Sequence, residues 1–177
     1  MRVFRSVAVV ALVAAALVAA GCGRPAPVPA KGDAAADKPA TPQFTLKNLE
    51  GNEVRLADSN GTVRLVSFWA TWCAPCREEI PVFKELQAAY GSKGFTLLAV
   101  SMDEGGAKVV KPFADENKID YPVLLGGEDT AEAFGGIGGL PTTFILDRDG
   151  KIVESYFGAV PKRFLVAKVE ELLGARS

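Results

Sequence analysis

The feature that most constrains this chain is a pair of cysteines, Cys73 and Cys76, placed where a predicted strand gives way to a predicted helix. The apolar run at 63–69 is typical of a buried strand, and residues 77–90 have helical periodicity. A C-x-x-C motif in this setting indicates a redox site. Cys73 should lie at or near the helix N-terminus, where free backbone N–H groups and the helix dipole favour a thiolate. Cys76, one helical turn later, is close enough to form a disulfide with Cys73.

Half of a zinc site, or a pair of structural thiols, is the alternative interpretation of these cysteines. A structural zinc site needs four ligands, mostly cysteine and histidine. The sequence has no histidine, and its third cysteine, Cys22, is separated from Cys73 by 50 residues. A complete zinc site therefore cannot be built from one chain, and no metal site is expected. The lack of histidine also excludes Cys–His and Ser–His catalytic pairs.

Two motifs carry a resemblance to a known family. The segment SFWATWCAPCREEIP at 67–81 resembles the active-site segment of thioredoxin-like proteins, and it is most similar to the membrane-anchored extracytoplasmic branch typified by TlpA and ResA. The segment GLPTTF at 139–144 resembles the loop of that family that carries a cis-proline before a strand. The resemblance covers roughly residues 43–177. It implies an α/β thioredoxin fold, a mixed central sheet flanked by helices, with an added N-terminal β-hairpin.

The resemblance also suggests roles for side chains around the cysteines. It implies that the Leu140–Pro141 bond is cis, whereas X-Pro bonds in general are mostly trans. The backbone of Leu140 would then be free to pair with an extended substrate segment. Trp72, beside the first cysteine, is interpreted either as a core aromatic residue or as an exposed surface on which a substrate packs.

Glu79 lies three residues after Cys76, on the same face of the predicted helix. In the ResA-like branch an acid at this position influences the active-site thiols, so the resemblance implies proton handling by Glu79. The alternative is that Glu79, like Glu78, merely satisfies the preference for acids in the first turn of a helix. Ser67 departs from the thioredoxin pattern, because cytoplasmic thioredoxins have a buried aspartate there. That role is either unfilled, passed to Glu79, or met by water.

The N-terminus predicts export from the cytoplasm. Arg2 and Arg5 precede fourteen apolar residues at 7–20, a run that suits a signal peptide and is short for a membrane span. Small residues ending in Gly-Cys resemble a bacterial lipoprotein processing site, with cleavage before Cys22 and lipid on its sulfur. Ordinary signal cleavage or an uncleaved anchor are the alternatives. Lipidation would also account for a lone third thiol in an oxidising compartment.

The predicted domains are a signal peptide at 1–21, a linker at 22–42 that starts with the lipidated cysteine, and one thioredoxin-like domain at 43–177. Residues 24–42 contain five prolines and six alanines, too few residues that could be buried to fold. Of 20 basic and 21 acidic residues, cleavage would remove two arginines and leave a net charge of −3. No basic run is present, so nucleic-acid binding is not expected. We expect a monomer without cofactor, held at a membrane by lipid.

The elements expected along the domain alternate between strands and helices, which indicates a mixed sheet covered on both faces. A final helix should open at Pro161 with Phe164, Leu165, Val169 and Leu172 on one side. The other expected elements are a hairpin at 44–46 and 53–56, strands at 63–69, 95–101, 121–125, 142–146 and 151–156, and helices at 77–90, 107–117 and 129–134.

Three functions compete. The leading hypothesis is a thiol–disulfide oxidoreductase acting on proteins outside the cytoplasm, in which Cys73 attacks and Cys76 resolves. The resemblance implies a reductase that keeps haem-attachment or metal-site cysteines reduced and receives electrons from a membrane thiol carrier. A Cu(I) chaperone is the second hypothesis, because thiolates suit that ion. Thiol peroxidase is the third, but it would require a Pro-x-x-x-Thr loop that the sequence lacks.

Overall fold

A computed structural model describes residues 41–174 of the chain. The predicted signal peptide, Cys22 and nearly all of the predicted linker lie outside these residues. Within 41–174, no helix is both long enough and apolar enough to cross a membrane.

The described part of the chain contains seven strands and four α-helices. The strands are β1 Thr45–Asn48, β2 Glu53–Arg55, β3 Val63–Trp69, β4 Phe95–Ser101, β5 Val123–Leu125, β6 Thr142–Leu146 and β7 Ile152–Phe157. The helices are α1 Ala74–Tyr90, α2 Ala107–Glu116, α3 Glu128–Ala133 and α4 Lys162–Gly174. Two short 3₁₀ helices, Leu56–Ser59 and Gly91–Lys93, follow β2 and α1.

All seven strands form one sheet in the order β2-β1-β5-β4-β3-β6-β7. The pairs β3–β4 and β4–β5 are parallel, and the other neighbouring pairs are antiparallel. The carboxyl ends of β3, β4 and β5 therefore meet at one edge of the sheet, where α/β proteins place their ligands. This mixed sheet, with its N-terminal hairpin β1–β2, confirms the predicted thioredoxin fold.

Strand β3 lies in the middle of the protein, and all seven of its residues are buried. Alternate side chains of a strand point to opposite faces of its sheet. Leu65 and Trp69 join a core cluster with apolar side chains of α1, α2 and α4. Val66 and Phe68 join a second cluster that includes Ala131 of α3. Helices cover both faces of β3, which explains why five of its seven residues are apolar.

Three elements differ from their predicted form for identifiable reasons, and the limits of the others match or shift by at most two residues. Helix α1 begins at Ala74, three residues earlier than its apolar periodicity indicated, because Pro75 fits the first turn of a helix. Strand β5 begins at Val123, after a proline that cannot donate to a ladder. The placement of Phe164 on the buried side of α4 is wrong, because its side chain is 49% exposed. The buried stripe of α4 runs instead through Leu165 and Val169, four residues apart.

Candidate active site

The two cysteines lie at the junction of β3 and α1. Cys73 is the N-cap residue of α1, with φ −82° and ψ 105°, and the chain becomes helical at the next residue. Cys76 lies in the first turn, and a disulfide joins the two side chains with their Cα atoms 5.3 Å apart. Both residues are buried, and they belong to the core cluster on the α1 face of the sheet. The fold thus holds the pair in a fixed geometry.

The helix N-terminus surrounds Cys73 with groups that favour a negative sulfur. The backbone N–H of Cys76 donates to the Cys73 Sγ over 3.3 Å. Helix α1 is 17 residues long, so its dipole is well developed at this end. These two features stabilise a thiolate at Cys73 once the disulfide is reduced, and the thiolate is the species that attacks disulfides.

Glu79 lies inside the protein, about one helical turn after Cys76 in α1. Its side chain is 3% exposed, and its Oε1 accepts a 2.9 Å hydrogen bond from the backbone N–H of Val160. Its Oε2 has no hydrogen-bond partner among the described residues. Burial raises the pKa of Glu79 to about 7, against a smaller lowering by the Val160 hydrogen bond. A carboxyl group with such a pKa can both give and take a proton near neutral pH.

The helix-dipole interpretation of Glu79 does not fit this position. The helix dipole acts most strongly on residues of the first turn. Because α1 begins at Ala74, Glu79 lies beyond that turn. Glu78 is exposed and free to interact with solvent, whereas Glu79 faces the core. A buried acid with one unpaired oxygen costs stability, so its position calls for a functional explanation.

Trp72 and the Leu140–Pro141 loop lie at the surface end of the same region. The Trp72 side chain is 70% exposed, which excludes the core interpretation for it, while Trp69 is buried. The Leu140–Pro141 peptide bond is cis, as the resemblance implied. Phe68 near the end of β3 pairs with Thr142 at the start of β6, so this loop lies beside the segment that carries Cys73.

Ser67 occupies the position where the thioredoxin pattern has an acid. Its side chain is fully buried on the face of β3 that α1 covers, and its Oγ lies 3.3 Å from the hydroxyl of Thr143. A serine hydroxyl does not titrate in the ordinary pH range. Ser67 therefore cannot take over the proton transfer of that acid, whereas the pKa of the buried Glu79 lies in the ordinary pH range.

Asp103 is a site residue that the sequence did not reveal. Its carboxylate accepts hydrogen bonds from the Thr71 backbone N–H at 3.0 Å and from the Thr71 hydroxyl at 2.7 Å. It also accepts one from the Ser101 hydroxyl at 2.8 Å. Asp103 thereby ties the segment before Cys73 to the end of β4. Asp103 could have been found from the predicted strand order, because polar residues that follow parallel strands meet at one edge of the sheet.

The surface beside Cys73 is a shallow groove. A depression of about 480 Å³ is lined by residues of the loops after β3 and β4, including Thr71, Trp72 and Met102. A cavity of about 670 Å³ lies elsewhere, between the N-terminal hairpin and the start of β5. An open groove beside an exposed aromatic side chain suits a polypeptide partner better than an enclosed small molecule.

Comparison with known proteins places this site in context. A model of the AhpC/TSA family matches residues 38–155 of the chain. The thiol-disulfide oxidoreductase ResA of Geobacillus thermodenitrificans is 36% identical over 131 residues, which are 74% of this chain and 75% of that protein. The thioredoxin-like protein YneN of Bacillus subtilis is 35% identical over 131 residues, 73% of this chain and 76% of the relative.

The fold of this chain is also similar to that of a solved structure. A thiol:disulfide interchange protein of the thioredoxin family from Chlorobium tepidum superposes with a TM-score of 0.69 at 32% sequence identity. The match covers 76% of this chain and 95% of that one.

Proposed function

Because this chain belongs to the AhpC/TSA family of thioredoxin-like proteins and is a thiol–disulfide oxidoreductase, we propose that it reduces disulfides of protein substrates through Cys73 and Cys76. The observation that carries this proposal is the disulfide at the N-terminus of α1, which caps the helix with the sulfur of Cys73. An exposed Trp72 beside it supports a protein substrate.

The reaction proceeds in two exchange steps. In the reduced protein, the Cys73 thiolate attacks one sulfur of the substrate disulfide, which forms a mixed disulfide and releases one substrate thiolate. Cys76 then loses its proton and attacks the Sγ of Cys73. This second step forms the Cys73–Cys76 disulfide and releases the other substrate thiol. Two electrons pass from the two cysteines to the substrate, and the protein must be reduced again.

Glu79 is the proposed proton carrier for the second step. Cys76 has to lose a proton before it attacks, and Cys76 lies in a core cluster where water is scarce. Glu79 lies one helical turn from Cys76, and its pKa of about 7 lets the carboxylate take that proton near neutral pH. The same group in its neutral form can protonate a leaving thiolate.

Trp72, Leu140 and Pro141 form the proposed substrate-positioning surface. The Trp72 ring supplies an exposed apolar platform, and the half-buried Leu140 precedes the cis-proline beside it. A proline donates no N–H to compete for the reacting sulfur. An extended substrate segment can pair with the backbone of Leu140, as in strand addition.

The direction of electron flow is proposed from the resemblance to the TlpA and ResA branch. Electrons would come from a membrane thiol carrier and leave to cysteines destined for haem attachment or metal binding. A reductase must have a lower reduction potential than the partners that it reduces. The equilibrium of the Cys73–Cys76 couple with a redox buffer therefore tests the direction.

We further propose that the protein acts outside the cytoplasm, anchored by lipid on Cys22. The support is the N-terminal sequence pattern, in which a basic start and an apolar run end in Gly-Cys. Cells fed a labelled fatty acid should incorporate it into the full-length protein and not into Cys22→Ser. Cys76→Ser serves as a matched control that keeps the label. Labelling that persists in Cys22→Ser would contradict the anchor.

A further inference from the structure

The loop between β7 and α4 connects two parts of the site. The backbone N–H of Gly158 donates to the Pro141 carbonyl oxygen over 2.9 Å. Two residues later, the backbone N–H of Val160 donates to Glu79 Oε1 over 2.9 Å. Gly158 has a φ of +86°, a conformation that favours glycine. One short loop thus contacts both the cis-proline segment and the buried acid.

The Val160 N–H is held firmly in place. The Val160 side chain is buried in the same core cluster as Cys73 and Cys76. Helix α4 begins two residues later at Lys162, which pairs with Glu85 of α1. Anchored on both sides, this backbone group cannot turn away from Glu79 without repacking the core.

Building on the proposed function, we propose that the backbone N–H of Val160 is the positioning group of Glu79, fixing Oε1 as acceptor and leaving Oε2 to carry the exchangeable proton. A carboxylic acid accepts hydrogen bonds through its carbonyl oxygen, so the neutral acid keeps its proton on the other oxygen. Oε2 is the atom without a partner among the described residues, which is consistent with this division.

The same hydrogen bond sets how easily Glu79 ionises. It favours the carboxylate and so opposes the effect of burial on the pKa of Glu79. Among the described residues, Tyr121 is the titratable group that is coupled to Glu79 by charge, and the disulfide of Cys73 and Cys76 does not titrate in the oxidised protein. Burial, followed by the charges of Asp120 and Glu79, raises the pKa of Tyr121, so it stays neutral while Glu79 titrates.

Replacing Val160 by its α-hydroxy analogue tests the proposal, because an ester removes the N–H and keeps the side chain. The same exchange at Ala159 is the matched control, since that exposed neighbour donates no hydrogen bond to another described residue. The Glu79 titration is followed by NMR of carboxyl-labelled glutamate in the oxidised protein, and Glu79→Gln identifies its signal.

We expect the Val160 ester to raise the Glu79 midpoint by about one pH unit. The Ala159 ester should leave the Glu79 midpoint within a few tenths of a unit. The pH profile of substrate reduction should move with the Glu79 midpoint. An unmoved midpoint in the Val160 ester would overturn the proposal, as would an equal shift in the Ala159 ester. Failure of the proposed function would appear separately, as absence of disulfide reduction by the unmodified protein.

Discussion

Replacing Cys76 with alanine should turn the protein into a trap that holds its substrates as mixed disulfides on Cys73. The attacking thiol remains, but the group that resolves the mixed disulfide is gone. An intramolecular thiol reacts at a very high effective concentration, so turnover should fall by at least about a hundredfold. Non-reducing gels of the variant isolated from cells should show higher-mass adducts that disappear on reduction.

Cys73→Ser provides the matched control for this trap. It keeps the Cys76 thiol, which is 3% exposed and lacks the helix-capping position of Cys73. We expect neither turnover nor adducts from it. If Cys73→Ser formed adducts as readily as Cys76→Ala, the roles of the two cysteines would be reversed. If neither variant formed adducts with any protein, the exchange mechanism would be wrong.

Replacing Glu79 with glutamine should stabilise the oxidised protein at alkaline pH. The folded-state pKa of Glu79, about 7, lies above the ordinary value of 4.5. The folded protein therefore holds this proton more tightly than the unfolded chain does, and stability falls as pH rises from about 4.5 to about 7. Between pH 5 and pH 8 the loss should amount to roughly 2 to 3 kcal/mol, and Glu79→Gln should abolish it. Urea unfolding at several pH values measures this difference.

Glu78→Gln is the control, because it makes the same chemical change at the neighbouring acid, which is exposed. Its stability should follow the wild-type pH dependence closely. The pH profile of substrate reduction should lose its inflection near 7 in Glu79→Gln and keep it in Glu78→Gln. Parallel stability profiles for Glu79→Gln and the wild type would show that Glu79 is not held with a raised pKa.

Local sequence patterns were sufficient for most of the architecture. The predicted limits of β3, β4 and β6 match the structure, because these strands are rich in apolar and β-branched residues and have clear ends. The junction of β3 and α1 was also predictable, since a C-x-x-C motif between a strand and a helix has few other interpretations. The exposed Phe164 was misplaced because apolar character alone does not show which of two adjacent positions on a helix faces the core.

Contacts between distant residues could not be predicted. Val160 reaches Glu79 through its backbone, 81 residues away, and no side-chain pattern marks such a donor. In the sequence, Asp103 does not differ from other acids that follow a strand. Its contact with Thr71 depends on the pairing of β3 with β4. For Glu79 the sequence left two interpretations open, and its buried position beyond the first turn of α1 argues against the helix-dipole one.

The reduction potential of the Cys73–Cys76 couple tests the central claim most directly. The domain can be equilibrated with defined redox buffers and followed by the fluorescence of Trp69 and Trp72, which lie within a few residues of the cysteines. A reductase supplied with electrons by a membrane carrier should have a potential near or below about −250 mV. A potential above about −150 mV would make the protein an oxidant or isomerase and would contradict the proposed direction.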